Sequence, residues 1–376
     1  MDSATPRPEP PSRGIRSVRV PRRGTKMLFG LGAKPIIGLD IGSSTIKLVE
    51  AEKKRGGWVV KSFTSVTLPE DTIVDGEIVN HAAVVEAIRS VIKESGAGSK
   101  LVATSVAGSS VIIKHINIPH TAPKELEDQV YWEAEQYIPF DMKDISLDFE
   151  VVQEDAGEGK MDILLVAAKK DFIEKRLAAI RECGLNPEVL DIDVLALANV
   201  FWENYEMTPD NAVVLVDIGA SLTKINIVSD TTTIFTRDVA IGGKNLTQEI
   251  QNRLGISFQE AEVLKIDACS TGQIPEEVLP LVQQISENVS LEIRRSLDFY
   301  AASPVQLPVT AVFLCGGASR IPGLANMLSE MLGLPIEYLN PFNKVACSGK
   351  QFNEEFLSAI SSSAAVPLGL ALRNEA

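Results

Sequence analysis

The chain has 376 residues, of which 45% are hydrophobic and 23% charged, a composition typical of a globular protein long enough for two domains with sizeable cores. Its net charge of −14 argues against nonspecific binding of nucleic acid. No apolar run approaches the roughly 20 residues needed to span a bilayer, so the sequence predicts no transmembrane helix.

Positive charge is concentrated at the start of the chain. Residues 1–35 hold eight Lys or Arg against Asp2 and Glu9, a net +6 that leaves −20 for the remainder. The segment is rich in Pro, Arg and Ser and lacks the apolar core of a secretory signal, so we expect a basic disordered leader and a cytoplasmic protein. Met27 directly precedes an apolar pair and the first strand, which leaves two interpretations. Either translation begins at Met27, or the leader is a basic tail able to touch anionic lipid.

A hairpin pattern occurs twice. Residues 36–49 read IIGLDIGSSTIKLV, and residues 213–227 read VVLVDIGASLTKINI. The positions that coincide are Asp40/Asp217, Ile41/Ile218, Gly42/Gly219, Ser44/Ser221 and Lys47/Lys224. A single Gly-Ser turn is usually only a turn, but the repetition predicts two related lobes.

Each hairpin has features suited to a polyphosphate. Its turn consists of small residues, so backbone N–H groups can approach an anion closely. An acidic residue ends the first strand of each copy, where it can hold a metal bound to that anion. Two such hairpins facing each other would contact a polyphosphate from both sides.

Between the hairpins, apolar spacing predicts alternating strands and helices. The strands are expected at 58–66, 101–106, 111–118, 147–152 and 162–168, and the helices at 82–93 and 172–183. The order favours a small α+β insert at about 100–190 within the first lobe.

The segment 123–140, PKELEDQVYWEAEQYIPF, predicts an amphipathic helix that Pro139 stops. Its apolar stripe alone indicates an ordinary surface helix. Trp132, however, adds a large aromatic side chain beside acidic residues, as at a partner-binding surface.

After the second hairpin the pattern predicts a strand at 232–239, a Gly242-Gly243 turn before a helix, and further helices at 258–268, 276–300 and 322–332. A buried strand at 309–314 leads into Gly316-Gly317, a turn that lets the backbone pass close to a ligand. The four cysteines have no paired spacing and the three histidines form no ligand motif with them, so we expect reduced thiols and no structural zinc.

A first phosphate hairpin (38–47), a connecting helix (DIDVLALAN, 191–199), a second phosphate hairpin (215–224) and an adenosine loop (313–319), in this order, resemble the actin-like ATPase superfamily. The segments VYWEAEQYIPF and EIRRSLDFY extend the resemblance to the PilM family of type IV pilus assembly, which is similar to the cell-division protein FtsA. The resemblance covers about residues 27–376. It implies an α/β, actin-like (ribonuclease H-like) fold with a first lobe at 36–200 and a second at 201–376.

The resemblance also implies ATP in the cleft between the lobes. Gly42, Ser43, Ser44 and Lys47 would face the β- and γ-phosphates from one side, and Gly219, Ala220 and Ser221 from the other. Asp40 and Asp217 would hold Mg²⁺ through water, because that ion keeps most of its hydration shell. The residues implied around ribose, adenine and α-phosphate are Gly242, Gly243, Glu262, Lys265, Gly316, Gly317 and Ser319, with Glu292 and Arg295 nearby.

Asp193 is the candidate for orienting an attacking water. The alternative is structural, with Asp191 capping the connecting helix. No strong general base is evident, so any hydrolysis by the isolated protein should be slow.

The implied partner is the short cytoplasmic N-terminal peptide of the inner-membrane protein PilN, and through it the inner-membrane pilus alignment complex. The groove for this peptide would lie near 131–140, at Tyr131, Trp132, Tyr137, Ile138 and Phe140. Membrane contact would then be indirect, and the resemblance leaves room for pilus motor ATPases and for self-association.

Two other classes of protein remain open. An FtsA-type filament former would assemble with nucleotide and ignore pilus proteins. A small-molecule kinase of the sugar-kinase branch would need a catalytic Asp and a polar sugar pocket in the first lobe, and neither is recognisable in the sequence.

Overall fold

A computed structural model describes residues 35–303 and 306–373. Nearly all of the predicted leader and the alternative start at Met27 lie outside these residues. The strands are β1 (Ile37–Ile41), β2 (Thr45–Lys54), β3 (Gly57–Thr67), β4 (Ile73–Val74), β5 (Glu77–Ile78), β6 (Leu101–Val106), β7 (Val111–Pro119), β8 (Ile145–Gln153), β9 (Lys160–Lys169), β10 (Asn186–Ile192), β11 (Ala212–Ile218), β12 (Thr223–Val228), β13 (Thr233–Val239), β14 (Val309–Cys315), β15 (Ile336–Tyr338) and β16 (Ala346–Cys347).

The α-helices are α1 (His81–Ser95), α2 (Leu126–Ala134), α3 (Lys170–Glu182), α4 (Asp193–Asn204), α5 (Gly243–Leu254), α6 (Phe258–Thr271), α7 (Leu279–Ala301), α8 (Leu324–Leu332) and α9 (Glu354–Ala371). A short 3₁₀ helix spans Met142–Asp144.

The first lobe contains a six-stranded sheet in the order β10-β6-β1-β2-β3-β16. Every residue of β1 is buried, because the strand lies in the interior of the sheet with a helix layer on each face. Helix α1 packs on β2 and β3 through the apolar face that its periodicity predicts. The Asn80 side chain caps this helix by accepting a hydrogen bond from Ala83 N at 3.1 Å, and left-handed Gly96 ends it.

The second lobe contains a five-stranded sheet in the order β13-β12-β11-β14-β15. Its β11 pairs antiparallel with β12 and parallel with β14. In the first lobe β1 pairs antiparallel with β2 and parallel with β6. The repeat found in the sequence is therefore also a repeat of topology, and the prediction of two related hairpins is confirmed.

The insert is smaller than the predicted 100–190. It consists of the sheet β7-β9-β8, helix α2 and the 3₁₀ helix, which together span 111–169. Strands β6 and β10 pair with each other in the first-lobe sheet instead. Helix α2 is also shorter than predicted, because it ends at Ala134 rather than continuing to Pro139.

The C-terminal part of the chain returns to the first lobe, so the predicted range 201–376 is not one contiguous lobe. Strand β16 pairs with β3, and α9 packs against β1, β2 and α4. A Cβ atom at Gly369 would overlap the carbonyl oxygen of Ala196, so α9 and α4 touch backbone to backbone. This helix pair forms the centre of the hydrophobic core that joins the two lobes.

Candidate functional site

The two hairpins carry the same ion pair at the same place. Lys47 Nζ lies 2.9 Å from Asp40 Oδ2, and Lys224 Nζ lies 2.8 Å from Asp217 Oδ2. Both pairs follow from strand register, because each lysine stands directly opposite its aspartate in the antiparallel ladder. The Asp and Lys positions aligned in the sequence are therefore in contact within each hairpin.

The turns of the hairpins border one cavity of about 780 Å³, within the range usual for small-ligand sites. The predicted residues that line it are Asp40, Gly42, Ser43, Ser44, Lys47, Asp193, Asp217, Gly219, Ala220, Ser221, Gly243, Glu262, Lys265, Gly316 and Gly317. Residues far apart in the chain thus meet at one cleft, as their order in the sequence suggests.

Gly242 and Ser319 are not among the lining residues, but both stabilise the loops that are. Gly242 is the N-cap of α5, and the next two backbone N–H groups donate to the carbonyls of Gly219 and Ala220, at 2.9 and 2.8 Å. Ser319 is fully buried and its hydroxyl donates to Gly316 O at 2.8 Å. Their positions suit them to shaping the site rather than to touching a ligand.

Glu292 and Arg295 do not line the cavity, contrary to the expectation that they lie near the nucleotide. Both lie on α7, where Glu292 forms ion pairs with Arg295 and with Arg237 of β13. The Arg237 guanidinium also donates to Ser296 Oγ at 3.1 Å. These groups connect α7 to the face of the second-lobe sheet.

Three charges meet at the base of the cleft. Lys224 Nζ lies 2.8 Å from Asp193 Oδ2 as well as from Asp217. Burial opposes charge on both Lys224 and Asp193, but the mutual attraction raises the pKa of Lys224 well above its ordinary value and lowers the pKa of Asp193. Asp193 is therefore a carboxylate already held by a cation.

Asp191 does not cap the connecting helix, so the capping role expected for it is wrong, although its role is structural. It lies in β10 and is fully buried, and its Oδ2 accepts from Arg373 Nε at 2.5 Å. The N-cap of α4 is Ile192, which offers no side-chain cap. Through this ion pair, Asp191 instead connects β10, the strand before the connecting helix, to Arg373 just after α9.

On the second-lobe side, Lys265 Nζ is the centre of a polar cluster. It lies 2.6 Å from Glu262 Oε2, 3.0 Å from Thr247 Oγ1 and 3.3 Å from Gly243 O. Hydroxyl, carboxylate and ammonium groups together suit the hydroxyls of a sugar.

The sequence pattern misses several residues that line the cavity. Arg176 enters from α3, and Ser362 and Ser363 enter from α9. Arg320 lines the cavity and donates to Ser358 O of α9 at 2.8 Å. No local sequence pattern identifies these residues as part of the cavity, because only tertiary packing places α3 and α9 at the cleft.

The lining fits a nucleotide with Mg²⁺. Two turns of small residues offer backbone N–H groups to phosphates. The cations Lys47, Arg176 and Lys224 can compensate phosphate charge, and Asp40 and Asp217 are the carboxylates that would hold a hydrated Mg²⁺ ion. Among the described residues, no group of three or more His, Cys, Asp or Glu is arranged to hold a metal directly.

The predicted partner groove is exposed only in part. Tyr131, Trp132 and Tyr137 are exposed, and Trp132 is 72% accessible. Ile138 is buried in the core of the insert and Phe140 is half-buried against it, so the expectation that both face a partner is not supported for Ile138. The apolar stripe folds inward, and the aromatic residues beside it remain outside.

Two lysines hold aromatic rings of this surface in place. Lys114 Nζ lies 4.5 Å from the centre of the Tyr137 ring, and Lys169 Nζ lies 4.3 Å from that of Phe140. We name the exposed set Tyr131, Trp132 and Tyr137 the aromatic face.

Comparison with known proteins gives related structures and sequences. The structure of a "PilM-PilN type IV pilus biogenesis complex" matches with a TM-score of 0.80 and 30% identity, covering 91% of this chain and 99% of that one. MreB5 of Spiroplasma citri bound to AMPPNP matches with a TM-score of 0.51 and 12% identity over 92% and 96% of the chains, which shows a shared actin-like fold. The cell division protein FtsA of Pseudomonas aeruginosa is 26% identical over 361 residues, covering 82% of this chain and 84% of FtsA.

In the parts of the chain that the structure describes, no helix is both long and apolar enough to cross a membrane. The family model for the type IV pilus assembly protein PilM matches residues 38–375, nearly the whole chain. Together with the two-lobed fold and its paired hairpins, this match shows that the chain belongs to the PilM family of actin-like type IV pilus assembly proteins.

Proposed function

We propose that this protein is an ATP-binding scaffold of type IV pilus assembly. It binds the cytoplasmic N-terminal peptide of PilN on its insert and links its nucleotide state to assembly of the pilus machine. The observation that carries the proposal is the pair of matched Asp–Lys hairpins on opposite sides of one cavity. MreB5, which shares the fold, is described as bound to AMPPNP.

Phosphates lie between the two turns in this proposal. The turn residues Ser43, Ser44, Ala220 and Ser221 offer backbone N–H groups, and Asp40 and Asp217 hold hydrated Mg²⁺. The N–H groups of Gly42 and Gly219 instead close the two turns by donating to Thr45 O and Leu222 O. The cluster of Lys265, Glu262 and Gly243 holds the ribose, and Gly316-Gly317 passes along the base.

Hydrolysis is slow in the isolated protein under this proposal. Asp193 is the carboxylate that would orient a water, but its Oδ2 is engaged by Lys224 at 2.8 Å. A carboxylate held by a buried cation has a lowered pKa and is a weak proton acceptor. Asp193 can therefore position a water more readily than it can take a proton from one.

The aromatic face is where the PilN peptide binds in this proposal. Its rings are large, rigid and exposed, which are properties of interface residues that contribute most to affinity. The relative with a TM-score of 0.80 is described as a complex with PilN. A protein held through PilN would be peripheral at the inner membrane, with membrane contact made by the partner.

The test is titration of a fluorescent synthetic N-terminal peptide of PilN into the full chain and two variants. Trp132→Ala should weaken peptide affinity about tenfold or more, as loss of an aromatic anchor does. Phe299→Ala is the matched control, because Phe299 is an exposed aromatic residue (61%) on α7 of the second lobe. If the wild type does not bind the peptide, or if both variants bind as it does, the partner proposal is wrong.

The second candidate is a filament-forming ATPase like FtsA, and it is favoured by the 26% identity to the Pseudomonas aeruginosa protein. Sedimentation with ATP in the absence of pilus proteins separates the two. Nucleotide-dependent filaments without peptide binding would favour the FtsA-like function.

A further inference from the structure

One charged side chain of the cleft has too few partners for its burial. Arg176 is only 5% exposed and lines the cavity. Among the described residues its guanidinium makes one hydrogen bond, from Nη1 to Ile41 O at 2.8 Å, and forms no ion pair within 4 Å. Buried charges in proteins are normally paired and fully hydrogen-bonded. The remaining N–H groups of Arg176 are therefore available to a ligand in the cleft.

The guanidinium lies at the phosphate turn of the first lobe. Ile41, which it contacts, directly precedes Gly42 of that turn. The charges that act on it most strongly are Asp193 and Asp40, both of which line the cleft. The ribose cluster around Lys265 belongs to the other lobe. A group bound by Arg176 is therefore at the phosphate end of the site.

The backbone connects Arg176 directly to the insert. Strand β9, the central strand of the insert sheet, ends at Lys169, and α3 begins at Lys170 with no loop between them. Phe172 and Leu177 of α3 pack in one cluster with Leu164 of β9. A shift of α3 that accompanied ligand binding at Arg176 would therefore move the insert sheet. Helix α2, which carries Tyr131 and Trp132 of the aromatic face, packs on β7 of that sheet.

We propose that Arg176 binds the terminal phosphate of the nucleotide, so that it distinguishes a nucleoside triphosphate from a diphosphate, and passes that distinction to the insert through α3. This rests on the proposed function, which places the nucleotide in the same cleft. A guanidinium is suited to the task because it presents several donors in a planar fork that matches phosphate oxygens. The Phe172 ring, 5.9 Å from the Arg176 Cζ atom, supports its orientation.

The binding test is calorimetric titration of AMPPNP and of ADP, each with Mg²⁺, into the full chain. Arg176→Met should weaken AMPPNP binding about ten- to a hundred-fold, the effect expected from losing charged hydrogen bonds, and change ADP affinity less than about threefold. Arg181→Met is the matched control, since Arg181 lies on the same helix and pairs with Glu174 at the surface. It should alter neither affinity.

The titrations distinguish failure of the Arg176 role from failure of nucleotide binding itself. If wild type binds neither nucleotide, the proposed function fails and the inference fails with it. If wild type binds both, and Arg176→Met loses both equally, only the inference is overturned. Should Arg176→Met not fold, Arg176→Lys keeps the charge but loses the fork of donors, and it should show the same selective loss of AMPPNP.

The link to the insert has a separate readout. Hydrogen exchange of the backbone amides of α2 and β9 should differ between the AMPPNP and ADP complexes of wild type. That difference should disappear in Arg176→Met and persist in Arg181→Met. Identical exchange in the two wild-type complexes would overturn the link.

Discussion

At the scale of single residues, each hairpin holds an aspartate and a lysine in an ion pair across its two strands. The register of a hairpin is local, so an aspartate and a lysine seven positions apart must face each other once the turn is placed. Repetition of the pattern indicates that the pair is not accidental. The positions of Asp40 and Asp217 therefore follow from the amino-acid sequence alone.

Alanine substitutions at Gly316 and Gly317 together test how closely the loop after β14 is packed. Gly316 has φ +91°, and a Cβ there would overlap Asp217 Oδ1 and Ile218 O. Gly316→Ala should therefore lower the free energy of unfolding by about 2 kcal/mol or more.

The control is the neighbouring Gly317→Ala, whose Cβ meets nothing within 4 Å. It should change the free energy of unfolding in urea by less than about 0.5 kcal/mol. Equal destabilisation by the two variants would contradict the close packing of the loop at Gly316.

His115 gives an expected pH dependence. Its Nδ1 lies 2.9 Å from Asp162 Oδ2 and its Nε2 lies 2.7 Å from Thr233 O, so it connects the insert to the second lobe. Burial disfavours the charged imidazole, but the Asp162 carboxylate and the Thr233 carbonyl more than offset this and raise the pKa of His115.

Because the pKa of His115 is higher in the folded protein, its stabilising contribution is complete below the ordinary pKa of about 6.5 and is lost as the pH rises through the folded value. The difference in unfolding free energy between wild type and His115→Gln should thus be larger at pH 5.5 than at pH 8.5. Urea denaturation at both pH values measures it. Asp162→Asn should remove most of this pH dependence, and a difference that stayed constant with pH would contradict the assignment.

Arg176 and Asp191 have partners distant in the chain, which local residue patterns do not predict. An arginine in the amphipathic α3 is expected at the surface, and an aspartate before a helix is expected to cap it. Their partners, Ile41 and Arg373, are 135 and 182 positions away. Such pairings depend on tertiary packing, which no local spacing reveals.

At the scale of elements, α2 shows how a correct apolar stripe can accompany a wrong helix length. Val130, Ala134 and Ile138 are all buried, as the spacing indicates. Pro139 disfavours helical conformation at the residue before it, and the chain instead turns after Ala134, whose carbonyl accepts from Tyr137 N at 2.9 Å. The turn leaves Tyr137 exposed while Ile138 enters the core.

Helix α9 is an element that the sequence pattern does not predict. Its apolar run contains Pro367, which favours a break in a helix. The helix continues because tertiary packing against α4 and the first-lobe sheet outweighs the local cost.

A substitution at Gly369 tests the packing of α9 against α4. Because a Cβ there would overlap Ala196 O, Gly369→Ala should push α9 away from α4 and lower the free energy of unfolding by about 2 kcal/mol or more. Thermal and urea unfolding measure the effect. Gly56→Ala is the control, since nothing lies within 4 Å of a Cβ at that position, and it should change stability by less than about 0.5 kcal/mol.

At the scale of the whole molecule, the order of motifs is enough to predict two lobes around a cleft but not the limits of each lobe. Strand composition is alike in the insert and in the first-lobe sheet, so composition alone groups β6 with the strands of the insert. Strand β10 (Asn186–Ile192) is not predicted at all. Which strands pair is decided by contacts distant in the chain. For the same reason the sequence does not predict the return of β16 and α9 to the first lobe.

The cleft, the insert and the second lobe are physically connected, which bears on how a nucleotide could affect peptide binding. The cleft lies between the lobes, α3 runs from the cleft to the insert, and His115 connects the insert to the second lobe. A ligand that changes the separation of the lobes therefore has two routes to the aromatic face. Coupling between nucleotide and peptide should be reciprocal, each changing the affinity of the other by the same factor.

The most direct measurement is calorimetric titration of ATP with Mg²⁺ into wild type and Gly317→Trp, with and without the PilN peptide. Gly317 borders the cavity and faces open space, so the bulky side chain should obstruct the site without disturbing the backbone. We expect wild type to bind ATP, the variant to bind at least about tenfold more weakly with an unchanged free energy of unfolding, and the peptide to alter the wild-type affinity. Failure of folded wild type to bind ATP would contradict the central claim that the paired hairpins form a nucleotide site.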